Sequence, residues 1–302
     1  MGVSLAALPR LLWPLAVANL VANIGIVVSG GAVRLTGSGL GCPTWPRCTD
    51  GSYVPHGELG IHGAIEFGNR MLTFVLAAIA IACWLAALVA SRRADSDRRP
   101  LMLSTVIALG VPSQALIGGV TVLTDLNPWI VSFHLLVSMA IIGVCVVLLD
   151  ELRGPARPAA SPGVRRLGWV VLAAGWVVLY VGTVVTGSGP HAGDLDSPRT
   201  GLDPLQVSQL HADAVFLFVG LTVGLVLTAP AAARRAALLL LAVQLLQGTI
   251  GFVQHATDLP VVLVAFHLLG AALISAAMTW ALLSLLPRAT STRGGAEMAT
   301  AP

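Results

Sequence analysis

The stretch "QALIGGVTVLTDLNPWIVSFHLL", residues 114–136, aligns without gaps on "QGTIGFVQHATDLPVVLVAFHLL", residues 247–269. Gln114 falls on Gln247, Gly118 on Gly251, Asp125-Leu126 on Asp258-Leu259, and Phe133-His134-Leu135-Leu136 on Phe266-His267-Leu268-Leu269. A second echo, "TGSG", occurs at 36–39 and again at 186–189. Two leucine-rich helices can resemble each other by chance in their apolar letters, but here the polar letters match too. The chain therefore reads as two four-helix bundles, related as a parallel repeat about an axis along the membrane normal.

Composition sets the environment. A soluble chain carries about a quarter charged residues; this one, of 302 residues, has 10% charged and 56% hydrophobic, with a mean hydropathy of +0.86. Apolar runs lie near 11–33, 66–90, 101–123, 129–149, 167–187, 207–229, 234–254 and 260–286. Each can supply the ~20 residues that cross a ~30 Å hydrocarbon core. Helices are expected there because they satisfy every backbone group internally. The first run is too long for a cleaved signal segment. The fold class expected is an all-α integral membrane protein of eight transmembrane helices, with bundles at 10–150 and 165–287 and a disordered tail at 288–302.

All 17 basic residues are arginine. They crowd the second connection (Arg92, Arg93, Arg98, Arg99), the fourth (Arg153, Arg157, Arg165, Arg166), the sixth (Arg234, Arg235) and the two ends (Arg10, Arg288, Arg293). The positive-inside rule then places both termini in the cytoplasm. The loop "GGAVRLTGSGLGCPTWPRC" at 30–48 falls outside, where disulfides persist.

Ionisable residues within membrane helices are costly and mark function. His134 and His267 lie six or seven residues into helices 4 and 8, and His211 near the outer start of helix 6. These three share one depth, whereas His56, His191 and His255 lie in or beside outer loops. Paired imidazoles across a helix bundle hold b-type heme. A single membrane histidine is as often a packing residue; three at one depth in a repeated pattern favour ligation. His211 and His267 suit a permanently bound, six-coordinate electron-transfer heme. At the position in helix 2 where a partner histidine would stand, the sequence has Asn69, so the N-terminal bundle has one protein ligand, His134, or borrows His62. Glu66 sits one turn before Asn69 and has two readings: a catalytic base or cation stabiliser, or an ion pair with Arg70 at i,i+4. Arg70 can alternatively meet a heme propionate.

These residues resemble a known family. "GGAVRLTGSGLGCPTWPRC", "IEFGNRML" on helix 2 and "FHLL" on helices 4 and 8 are similar to the heme A synthases, which serve cytochrome oxidase assembly. The resemblance spans roughly residues 10–286, and the lysine-free composition resembles a high-GC bacterial, actinobacterial member. It implies oxidation of the C8 methyl of heme O to the formyl of heme A through hydroxylated intermediates. It also implies a substrate heme in the N-terminal half and a resident heme b in the C-terminal half. Glu66 matches the family's catalytic glutamate, His134 the substrate-side ligand, and His211 and His267 the axial ligands of heme b. The metal ligands implied are thus His134, His211 and His267. The family pattern on helix 2 is E-x-x-H-R, from which Asn69 departs. A Cys42–Cys48 disulfide would close a small loop, structural or redox-active; Cys83 and Cys145 read as packing residues. The partners implied are heme O, membrane lipid, a heme O synthase and oxidase assembly factors in the cell membrane; a homo-oligomer is compatible, and no nucleic acid is expected.

Two other readings compete. A diheme b-type cytochrome for quinol-linked electron transfer needs two bis-histidine sites, which Asn69 opposes. A transporter needs polar groups at the midplane, whereas here they gather at the outer edge.

Overall fold

The computed structural model describes residues 8–92 and 97–288. Arg93, Arg293 and the tail from 289 onward lie outside the described residues. Among the described residues eight helices follow one another: α1 (Leu8–Leu35), α2 (Gly60–Ser91), α3 (Arg99–Leu123), α4 (Pro128–Arg153), α5 (Pro162–Ser188), α6 (Pro204–Thr228), α7 (Ala231–Ala256) and α8 (Val261–Leu283). All eight are long and apolar enough to cross a membrane. The chain is a multi-pass helical membrane protein.

Proline and short polar side chains set most of the helix starts. Pro128, Pro162 and Pro204 occupy first positions, where no backbone donor is lost. Asn127 accepts from Trp129 N at 3.0 Å and Asp203 from Leu205 N at 2.8 Å, capping α4 and α6. Helix α2 begins at Gly60, six residues ahead of its apolar run. A 3-10 turn at Gly57–Leu59 feeds directly into it, and Gly60-Ile61-His62-Gly63 continue the backbone ladder without adding hydropathy. His62 therefore lies in the first turn of α2, four residues from Glu66 and on its face.

The turns α3–α4 and α7–α8 have the same geometry. Asp125 and Leu126 have φ of 51° and 59°, and Asp258 and Leu259 have 59° and 57°. In both, the leucine N–H returns to a carbonyl five residues back: Leu126 to Thr121 and Leu259 to Gln254, each at 2.8 Å.

Helices α1–α2–α3–α4 close a ring through α1 against α4, and α5–α6–α7–α8 close another through α5 against α8. The rings meet along α1, α4, α5 and α8, where Ser275 Oγ donates to the Met139 carbonyl at 2.8 Å. Lipid is as apolar as leucine, so close contact rather than water exclusion holds such helices together. Small residues permit that contact: Gly175 lies against Met278 and Phe218, and Gly168 against Leu285. Large apolar side chains such as Phe74, Leu109, Leu217 and Leu246 point outward, as a lipid-facing surface requires.

At the arginine-rich end the rings are stitched together. Arg157 grips Asp150 through two hydrogen bonds of 2.9 and 2.7 Å. Its Nε donates to the carbonyls of Leu283 and Leu286. Arg288 also reaches Asp150, at 3.3 Å, and exchanges backbone hydrogen bonds with Arg157. Arg288, read from the sequence as the start of a loose tail, is held.

Candidate functional site

The polar residues gather at the opposite end, beneath the loop between α1 and α2. Cys42 and Cys48 are joined in a disulfide, and both are buried. The hairpin lies directly on the start of α2. A side chain on Gly41 would overlap the His62 carbonyl and the Gly63 nitrogen, so the backbones touch only because both positions are glycine.

Glu66 is 5% exposed, and both its oxygens are engaged. Oε2 accepts from Cys42 N at 2.6 Å, and Oε1 pairs with Arg70 at 2.5 Å. Arg70 donates further to the carbonyls of Cys42, Thr44 and Arg47 at 3.1–3.2 Å. The buried carboxylate and the partly buried guanidinium thus form a hydrogen-bonded pair that clasps the hairpin backbone. His62 is exposed and its Nδ1 lies 2.9 Å from Ser38 Oγ. Asn69 is turned to α1, where its Oδ1 accepts from Ser29 Oγ at 2.8 Å.

The three deep histidines share a different environment. Each rests its ring on a glycine of the preceding helix: His134 on Gly118, His211 on Gly182 and His267 on Gly251, with 3.4, 3.0 and 3.3 Å from Cε1 to where a Cβ would stand. Each buries its Nδ1; that of His134 has no hydrogen-bond partner among the described residues, whereas the rings of His211 and His267 lie beside the backbone carbonyls of Val178 and Gln247. His211 and His267 face each other with ring centroids 6.5 Å apart and planes at 73°. With metal–imidazole bonds of about 2 Å, two rings sharing one metal stand about 6 Å apart centre to centre. That spacing would let His211 and His267 hold one heme iron between them. His134 has no such imidazole opposite it among the described contacts.

Two glutamines brace the histidine backbones. Gln114 Nε2 donates to the His134 carbonyl at 3.1 Å and to Ser138 Oγ. Gln247 Nε2 donates to the His267 carbonyl at 2.5 Å. Gln114 and Gln247 were already paired by the repeated stretch, as were Gly118 and Gly251, but their roles were not legible there. Gly182 carried no sequence signal at all.

A groove separates the hairpin from the α5–α6 loop, lined by Arg34, His62, His191 and Asp194 among others. Arg34 crosses it, donating to the carbonyls of His191 at 2.6 Å and Thr186 at 3.1 Å. The backbones also meet, Gly39 N donating to the Gly193 carbonyl at 2.8 Å. His191 is pulled below the usual imidazole range, first by partial burial and then by the Arg34 charge.

Among the described residues, eight membrane-length helices in two rings, with three partly buried imidazoles and a disulfide hairpin, define a polytopic membrane protein. A family model described as cytochrome oxidase assembly protein matches residues 13–193, more than half of the chain. The chain belongs to this family. It is 32% identical over 141 residues to the heme A synthase of Geobacillus thermodenitrificans, covering 46% of this chain and 42% of that protein. The heme A synthase of Lysinibacillus sphaericus is 33% identical over 135 residues, 44% of this chain and 42% of that one. That of Shewanella oneidensis is 25% identical over 180 residues, 55% and 52%. The matches thus span between two-fifths and about half the length of these curated relatives.

Proposed function

We propose that the protein is a heme A synthase, oxidising the C8 methyl of heme O to a formyl group for cytochrome c oxidase biogenesis. The observation that supports this most directly is the asymmetry of the membrane imidazoles: a facing pair, His211 and His267, in one ring and a single His134 in the other. The pair holds a resident heme b, which supplies electron transfer away from the reaction. His134 holds the substrate heme, and one-sided ligation leaves that heme exchangeable. Asn69, committed to Ser29, is not a second ligand, and this disfavours a diheme cytochrome.

Methyl to hydroxymethyl to formyl is two successive two-electron oxidations. Glu66, buried beneath the hairpin, stabilises developing positive charge or takes a proton from the incoming oxygen nucleophile. Arg70 orients it through their 2.5 Å contact. The arginine-rich end faces the cytoplasm of a bacterial cell with both termini, and the hairpin faces outward. Heme O arrives through the membrane, by handover from the heme O synthase.

The test is expression in a host that makes heme O, followed by pigment extraction and chromatography. Heme A or its hydroxylated precursor is the expected product. Recovery of heme b alone with intact protein defeats the proposal.

A further inference from the structure

Trp45 lies inside the Cys42–Cys48 loop, half-buried, with its indole on α3 at Gly119. A methyl group on Gly119 would overlap ring atoms Cγ, Cδ2 and Cε2. The preceding residue, Gly118, carries the His134 ring. Consecutive helix residues differ by only ~1.5 Å in height, so indole and imidazole stand at one level on neighbouring faces of α3.

The second ring supplies an internal comparison. Gly251 carries His267 as Gly118 carries His134, but the residue in register with Gly119 is Phe252. Phe252 packs against Phe216, ring centroids 6.3 Å apart. The glycine at 119 therefore goes with the tryptophan, not with the histidine. Four hydrogen bonds from α2 bracket Trp45 along the hairpin backbone: Cys42 N to Glu66, and Arg70 to the carbonyls of Cys42, Thr44 and Arg47.

We infer that Trp45 is a positioning residue for the substrate heme: seated on Gly119 by Glu66 and Arg70, its indole walls the space beside His134 and fixes how the macrocycle is held. The inference rests on the reading of His134 as the substrate-side ligand. A rigid aromatic wall suits a planar apolar ring, and such contacts contribute beyond their buried area. It also gives the hairpin clasp a purpose, since the α2 contacts bracket the loop on both sides of this one side chain.

The protein, carrying its resident heme, is loaded with heme O, and release is followed by transfer to excess heme-scavenging apoglobin. Turnover is measured alongside. Trp45→Ala is expected to release heme O about three- to tenfold faster, with a matching rise in KM. Gly119→Ala, which displaces the indole from the other side of the contact, is expected to do the same. Trp45→Phe stays within about twofold of wild type, and the spectrum of the resident heme is unchanged in all three. A Trp45→Ala protein with wild-type release and KM overturns the inference; should that variant not fold, wild-type behaviour of Gly119→Ala does so. His134→Ala separates the two readings. If it accelerates release while Trp45→Ala is silent, only the role of Trp45 falls. If it releases heme O at the wild-type rate, the substrate site is not at His134 and both fall.

Discussion

A methyl group on Gly182 would stand 3.0 Å from His211 Cε1, closer than most real contacts tolerate. Gly182→Ala should therefore tilt the imidazole and weaken or shift the low-spin heme band, whereas His211→Ala or His267→Ala should abolish it; absorption spectra of the purified variants decide. Glu66→Gln keeps one acceptor for Cys42 N but removes the charge facing Arg70. Its expected phenotype is retained heme b with product formation lowered about a hundredfold or more, read by heme extraction. Normal turnover would leave Glu66 a purely structural clasp. At this scale the histidines and Glu66 were legible because an ionisable group in a membrane helix is too costly to be incidental. Gly182, Gly119 and Trp45 were not. Their meaning lies in contacts between residues distant in the chain, and no local pattern encodes those.

Helices are a different matter. Apolar runs located all eight within a few residues, because membrane thickness fixes their length and lipid fixes their composition. The largest exception, the start of α2, fell where Gly60, His62 and Gly63 dilute the apolar letters, and hydropathy is blind to hydrogen bonding. The six residues so missed include His62 and the Gly63 surface on which Gly41 rests. Between elements, Gly270 on α8 has no room for a Cβ, because the Gln247 amide from α7 lies over it. In the repeated register the first ring has Val137 there, and Gln114 instead reaches both the His134 carbonyl and Ser138. Gly270→Ala should push Gln247 off the His267 carbonyl at a cost of about 1–3 kcal/mol. A lower thermal midpoint in detergent, with a heme b spectrum altered more than by an outward-facing substitution such as Leu246→Ala, is the expected result.

For the molecule as a whole, the two ends tie the rings together by different means. At the hairpin end the tie is pH-sensitive. Folding holds His191 below its ordinary value near 6.5, so the unfolded chain binds more protons between the folded value and 6.5. Stability contributed here is present above that window and falls as pH drops through it. The wild-type thermal midpoint should decline from pH 7.5 to pH 5 more steeply than that of His191→Gln. At the arginine-rich end Asp150 receives both Arg157 and Arg288. Asp150→Ala leaves two guanidinium groups without their carboxylate, at a cost of about 3 kcal/mol, measurable as a drop in midpoint; an unchanged midpoint would show the network to be dispensable.

That network also has an order of assembly. Arg288 leaves the ribosome after all eight spans, as do the Leu283 and Leu286 carbonyls that complete the bonding of Arg157. While the second ring is being made, Asp150 has only Arg157. The first ring can thus insert and close on its own, free to shift against its unfinished neighbour, and the two are fastened at this end only as translation of α8 is completed.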